Sequence, residues 1–197
     1  MLRRLFSWWL SKCKIFIVGC ILVLILGIAF GSIFWPLFGE LIRGVAKRFI
    51  GLRPFTLEMF IYILINNISI LCVWIFIIGG LTVLLPYMIL LINAVTLGSF
   101  VSYMHVTYGI DMLVMLLLLI PHGIFEITAI IMGVSCSAFF GINVWKMVLK
   151  KKPLSELKID FINVIKMIAF ASILMVLAAL VETYITPLFY FLFSSRF

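Results

Sequence analysis

The sequence is poor in charge. Asp and Glu number 7 and Lys and Arg 15, so charged residues make up 11% of the 197 positions while hydrophobic ones make up 66%. A soluble domain carries roughly 25% charged residues, and no soluble fold of this length could hide so much apolar surface. The bilayer is therefore the solvent for most of the chain. Apolar–polar alternation, the mark of a membrane barrel, is also missing. The apolar runs are continuous and about 20 residues long, which calls for helices whose backbone groups pair internally. Histidine is scarce, at 2, and there is no HExxH. A metal site needs at least three convergent ligands, so the sequence implies no metal and no cofactor. No CxxC pair is present: Cys13, Cys20, Cys72 and Cys136 lie in or beside apolar runs and read as small packing residues. No fingerprint of a nucleic-acid module accompanies the net charge of +8. The Lys and Arg residues sit between apolar runs, where they set orientation and meet anionic headgroups.

The fold expected is all-α: one membrane domain over residues 1–197, a polytopic helical bundle of about five spans. The spans fall at residues 15–35, 59–78, 81–103, 112–145 and 161–185, with Gly79-Gly80 as a tight turn and the tail at 188–193 in the interface. Residues 36–58 interleave Arg43, Lys47, Arg48 and Arg53 with apolar residues and read as an interfacial amphipathic segment. Glu40 and Arg43 there form an i,i+3 pair. Residues 146–160 form a basic cytoplasmic loop. Arg3, Arg4, Lys12 and Lys14 place the N-terminus in the cytoplasm of a multi-pass cell-membrane protein. Gly27 and Gly31 make a GxxxG, while Ala94, Gly98 and Ser102, and Ala129, Gly133, Ser137 and Gly141, make two small-residue ladders suited to helix contact. They also permit self-association.

The stretch 112–145 is unusual. As one helix its 34 residues would be about 51 Å long, against a hydrocarbon core of about 30 Å. Pro121 removes a helix hydrogen bond and disfavours helical geometry before it, so the expectation is a short half-helix, a break at Pro121, then a full helix. Counting the half-helix gives six spans instead of five.

Polar residues inside apolar spans are costly, so each needs a reason. Here they are Asn66, Asn67, Asn93, His122, Glu126 and Glu182. His122 and Glu126 are four apart and share a helix face beside Pro121 and Gly123. There they can hold each other or bind a common proton, ion or polar group. Glu182 and Thr186 have the same spacing. The three Asn residues read as interhelical hydrogen-bonding glue rather than ligands. His105, between Tyr103 and Tyr108, belongs to the aromatic belt.

Pro121-His122-Gly123-Ile124-Phe125-Glu126 resembles the PHGIFE signature of the stage II sporulation protein M family. Asn93 with Gly98, and Glu182 through Pro187, resemble further marks of that family, although Asn93-Ala94 stands where the usual dipeptide is Asn-Gly. These marks cover residues 59–187. The resemblance implies a multispan protein with no established catalytic activity. In endospore-forming bacteria the founding member acts in engulfment, as an anchor and scaffold for peptidoglycan-degrading partners, but the family also occurs where that process does not.

The resulting expectation is a membrane scaffold, not an enzyme, that touches the lipid bilayer and assembles with membrane or envelope proteins or with itself. Two readings stand beside it. One is a transporter or permease component with a solute or ion site at the broken helix near Pro121. The other, an intramembrane hydrolase using His122 and Glu126, lacks a third ligand or nucleophile.

Overall fold

The computed structural model describes residues 2–40, 42–44 and 54–189. Among these the chain is helical with no strand. Helix α1 spans Leu2–Lys12, α2 Lys14–Ile33, α3 Leu57–Ile68, α4 Leu84–Tyr108, α5 Met112–Val148 and α6 Leu154–Leu180. Two of them continue in wider or tighter winding. From α3 the chain runs through a π-helical stretch, Ser69–Ile78, and a 3-10 turn, Gly79–Leu81. From α6 it runs through a π turn, Val181–Ile185. Five helices are long and apolar enough to cross a membrane: Lys14–Ile33, Leu57–Leu81, Leu84–Tyr108, Met112–Val148 and Leu154–Phe189.

The ends of these helices have local causes. Thr56 caps α3 by accepting from the Met59 amide, and Asp111 caps α5 by accepting from the Leu113 amide at 2.7 Å. Gly109, with φ of 68°, closes α4 in the left-handed conformation that glycine adopts without strain. The Nδ1 of His105 donates to the Ile110 carbonyl at 2.8 Å, so this histidine ties the turn together. Gly79 lies under Pro86, whose Cγ would be 2.8 Å from any added Cβ, so the α3–α4 turn needs glycine there.

Two small-residue motifs meet each other. Gly27 and Gly31 of α2 face Ala94, Val95 and Gly98 of α4 so closely that a Cβ on Gly31 would lie 2.2 Å from the Val95 carbonyl oxygen. Ser99 donates to the Gly31 carbonyl at 3.0 Å, Ser32 to the Gly98 carbonyl at 3.3 Å, and Tyr87 to the Phe16 carbonyl at 2.9 Å. The second ladder, on α5, receives α3: Leu71 fills the space over Gly133, and Gly141 faces Gly80 and Thr82. The glycines of both ladders are used for helix packing inside the chain.

Three expectations need correction. The chain does not break at Pro121: α5 passes through it as one helix of 37 residues. A membrane helix can absorb a proline because neighbouring helices and local adjustment satisfy the freed carbonyl. The expected five spans stand, and the alternative count of six drops out. The basic stretch 146–160 is a loop only over residues 149–153, because α5 continues to Val148 and α6 begins at Leu154. The Asn residues, finally, do not bridge helices. Asn93 donates to the Ile89 carbonyl of its own helix at 2.9 Å, and Asn66 donates to its neighbour Asn67. Asn67 accepts that bond, while its own amide nitrogen has no partner among the described residues.

Much of the interfacial segment 36–58 lies outside the described residues, as do Lys47, Arg48 and Arg53, and so does most of the tail at 188–193. Within the described part, Arg43 and Glu40 pair at 3.1 Å. The amphipathic helix that the structure does describe is α1, which the sequence reading passed over. Its Leu5 and Trp9 are buried, its Arg3, Arg4 and Lys12 exposed. Trp9 donates to the buried Ser135 hydroxyl of α5 at 2.9 Å, and Phe6 meets Phe170 of α6 edge-on at 5.1 Å.

Candidate functional site

Helices α5 and α6 run antiparallel, and each carries polar residues four apart. The Nδ1 of His122 shares a 3.2 Å hydrogen bond with the Thr186 hydroxyl. One helical turn further in, Glu126 on α5 and Glu182 on α6 come within electrostatic reach of each other. The facing helices thus carry two polar levels, His122 bonded to Thr186 and Glu126 on the side of α5 toward Glu182. Antiparallel packing requires this register, because stepping four residues up one helix matches stepping four down the other. Pro121 and Gly123 flank these levels on α5, and nothing lies within 4 Å of where a Gly123 Cβ would be.

His122 is buried at 8% exposure, whereas both carboxyls are half-buried. Among the described residues neither Glu126 nor Glu182 has a hydrogen-bond or ion-pair partner. Two unpaired carboxyls within electrostatic reach of each other in a span form an acid-rich spot suited to a proton, a cation or a polar donor from outside the chain. Glu182 sits in the π turn Val181–Ile185, together with Thr183, whose hydroxyl is buried without a partner. Such turns interrupt α-helices often at functional sites.

Of the other residues singled out by sequence, Asn67 is buried with its amide nitrogen unpartnered, Asn66 is exposed, and Asn93 is half-buried on α4. None of the three has a hydrogen bond to the His122–Glu126 face. Among the described residues no group of three or more His, Cys, Asp or Glu side chains converges as a metal site.

A second polar cluster lies at the other end of the bundle and was missed. Asp160 on α6 forms an ion pair with Lys152 and accepts from the Asn143 amide of α5 at 3.4 Å. Its side chain and that of Lys152 are only 11% and 15% exposed. A lone Asp in a basic run gives no signal by itself; Asn143 and Asp160 meet only when α5 and α6 turn back on each other.

The fold and these polar levels define a class: a polytopic helical integral membrane protein with ionisable residues held inside the span region. The family model of stage II sporulation protein M matches residues 20–187, and the chain belongs to that family. It is similar to an uncharacterised protein of Methanocaldococcus jannaschii, with 31% identity over 129 residues that cover 64% of this chain and 69% of the relative. No solved structure matches.

Proposed function

We propose that the protein is a membrane scaffold that assembles with membrane or envelope proteins. The observation that carries this is the set of side-chain bonds between helices at several levels. Tyr87 and Ser99 tie α4 to α2, Cys72 contacts Ser172 at 3.6 Å, Trp9 fixes α1 to α5, and His122 with Thr186 joins α5 to α6. Bonds of this kind fix how the helices are placed against one another, which suits a platform that presents defined surfaces to partners. Arg3, Arg4, Lys12, Lys14, Lys146 and Lys150 to Lys152 gather at the end that holds α1 and the 149–153 loop, so this end faces the cytoplasm in our reading. The test is crosslinking and affinity capture of the full chain from native membranes. Recovery of one envelope protein in stoichiometric amount supports the scaffold; recovery of the chain alone overturns it.

The unpaired Glu126 and Glu182 favour a second reading, a transporter component whose ion or proton site is this carboxyl pair instead of a helix break. A cysteine at Gly123 that reacts with aqueous reagents, together with ion flux abolished by Glu126→Gln, supports that reading. Absence of both removes it.

A further inference from the structure

We infer that the protein holds an anionic phospholipid between α1 and α6, at the end of the bundle opposite the carboxyl pair. Two adjoining hollows make the site. One is an apolar groove of about 790 Å³ walled by Leu2 and Leu5 of α1 and Phe170 and Ile173 of α6, with Arg4 and Lys166 also lining it. The other is a polar cleft of about 510 Å³ lined by Lys12, Lys146 and Lys152, with Glu156 and Asp160 among the other residues. Trp8 and Asn163 line both, so the hollows join there.

The charge balance selects the occupant. Five cations and two carboxylates line the pair of hollows. Lys152 is neutralised by Asp160, and with Glu156 counted the hollows keep an excess of three positive charges. Arg4, Lys12, Lys146 and Lys166 have no ion-pair partner among the described residues and are exposed. A groove that is apolar along one length and cationic along the next matches a molecule with an acyl chain and an anionic phosphodiester. Trp8 lies at their junction, where tryptophan favours the headgroup level. A zwitterionic lipid would fill the groove equally well but would leave the positive charge uncompensated. The phosphate lies against Lys12 and Lys146, and an acyl chain enters the groove past Arg4 and Lys166.

The test is native mass spectrometry of the full chain in detergent, titrated with phosphatidylglycerol and with phosphatidylcholine of the same acyl chains. The expected result is one phosphatidylglycerol bound in preference to phosphatidylcholine. Removing both Lys12 and Lys146 as Gln should weaken phosphatidylglycerol by about tenfold or more, and Ala169→Trp, which fills the groove, should weaken both lipids. Lys158→Gln removes an exposed charge that lines neither hollow and should change nothing. Equal affinity for the two lipids, or the same loss in Lys158→Gln, overturns the inference. Should the double variant fail to fold, phosphatidylglycerol with brominated chains decides the matter. It must quench more fluorescence in the unmodified chain than in Trp8→Phe, and equal quenching overturns the site.

Discussion

The seam between α2 and α4 makes the sharpest demand on sequence, and Gly98→Ala tests it. A Cβ on Gly98 would lie 2.2 Å from the Ile28 carbonyl oxygen and 2.9 Å from its carbon. Ordinary contact needs about 3.5 Å, so α2 must retreat by about 1.3 Å. The atom in the way belongs to the backbone of a helix, which cannot swing aside as a side chain can. Overpacking of this kind costs about 1–3 kcal/mol. The retreat also lengthens the Ser99–Gly31 and Ser32–Gly98 bonds, 3.0 and 3.3 Å in the structure, each worth about 0.6 kcal/mol in a membrane bundle. The expected loss is about 2–4 kcal/mol. Equilibrium unfolding in mixed detergent–SDS micelles, followed by circular dichroism, measures it. Gly123→Ala is the control. Nothing lies within 4 Å of its added Cβ, so stability should not fall and should rise by up to about 1 kcal/mol from the better helix former. If Gly98→Ala costs no more than Gly123→Ala, the close approach of α2 and α4 is wrong.

Other predictions follow from the same contacts. Asp160→Ala leaves the mostly buried Lys152 ammonium without its carboxylate and should lower stability by about 3 kcal/mol, read by thermal melting in detergent. Ser135→Ala strands the buried Trp9 indole N–H. It should cost about 1–3 kcal/mol and make α1 cleavable by added protease, which gel analysis detects. His122→Ala removes the bond to Thr186 and should cost about 1 kcal/mol in the same melts. Glu182→Gln should leave stability unchanged or raised, because a carboxylate in a span is costly, by about 2.5–3.5 kcal/mol on insertion scales, and this one has no partner to lose. A clear loss for Glu182→Gln would mean that the carboxyl holds a structural contact.

The physical reason for what the sequence revealed is that hydrophobicity and spacing are local. A run of apolar residues declares a span wherever its neighbours lie, so five spans, the Gly79-Gly80 turn and the Glu40–Arg43 pair were legible from composition and pattern. So were the His122/Glu126 and Glu182/Thr186 spacings, and the PHGIFE signature carried the family. Partners are not local. Glycine stripes announced close helix contact, but only the packing showed that Gly27 and Gly31 meet Ala94 and Gly98 in the same chain. Pro121 looked like a break because a proline costs a lone helix a hydrogen bond; inside a bundle the surrounding helices absorb that cost. The Asn residues looked like bridges because amides in lipid need partners, yet Asn66 and Asn93 donate within their own helices and the Asn67 amide nitrogen donates to nothing among the described residues. The docking of α1 on Ser135 and the approach of Glu126 to Glu182 join residues far apart in the chain, and the Lys152–Asp160–Asn143 cluster joins two helices across their connecting loop. The α5–α6 contacts exist only because these helices run antiparallel in one register, and that register is set by how whole helix faces pack, not by any single stretch of sequence.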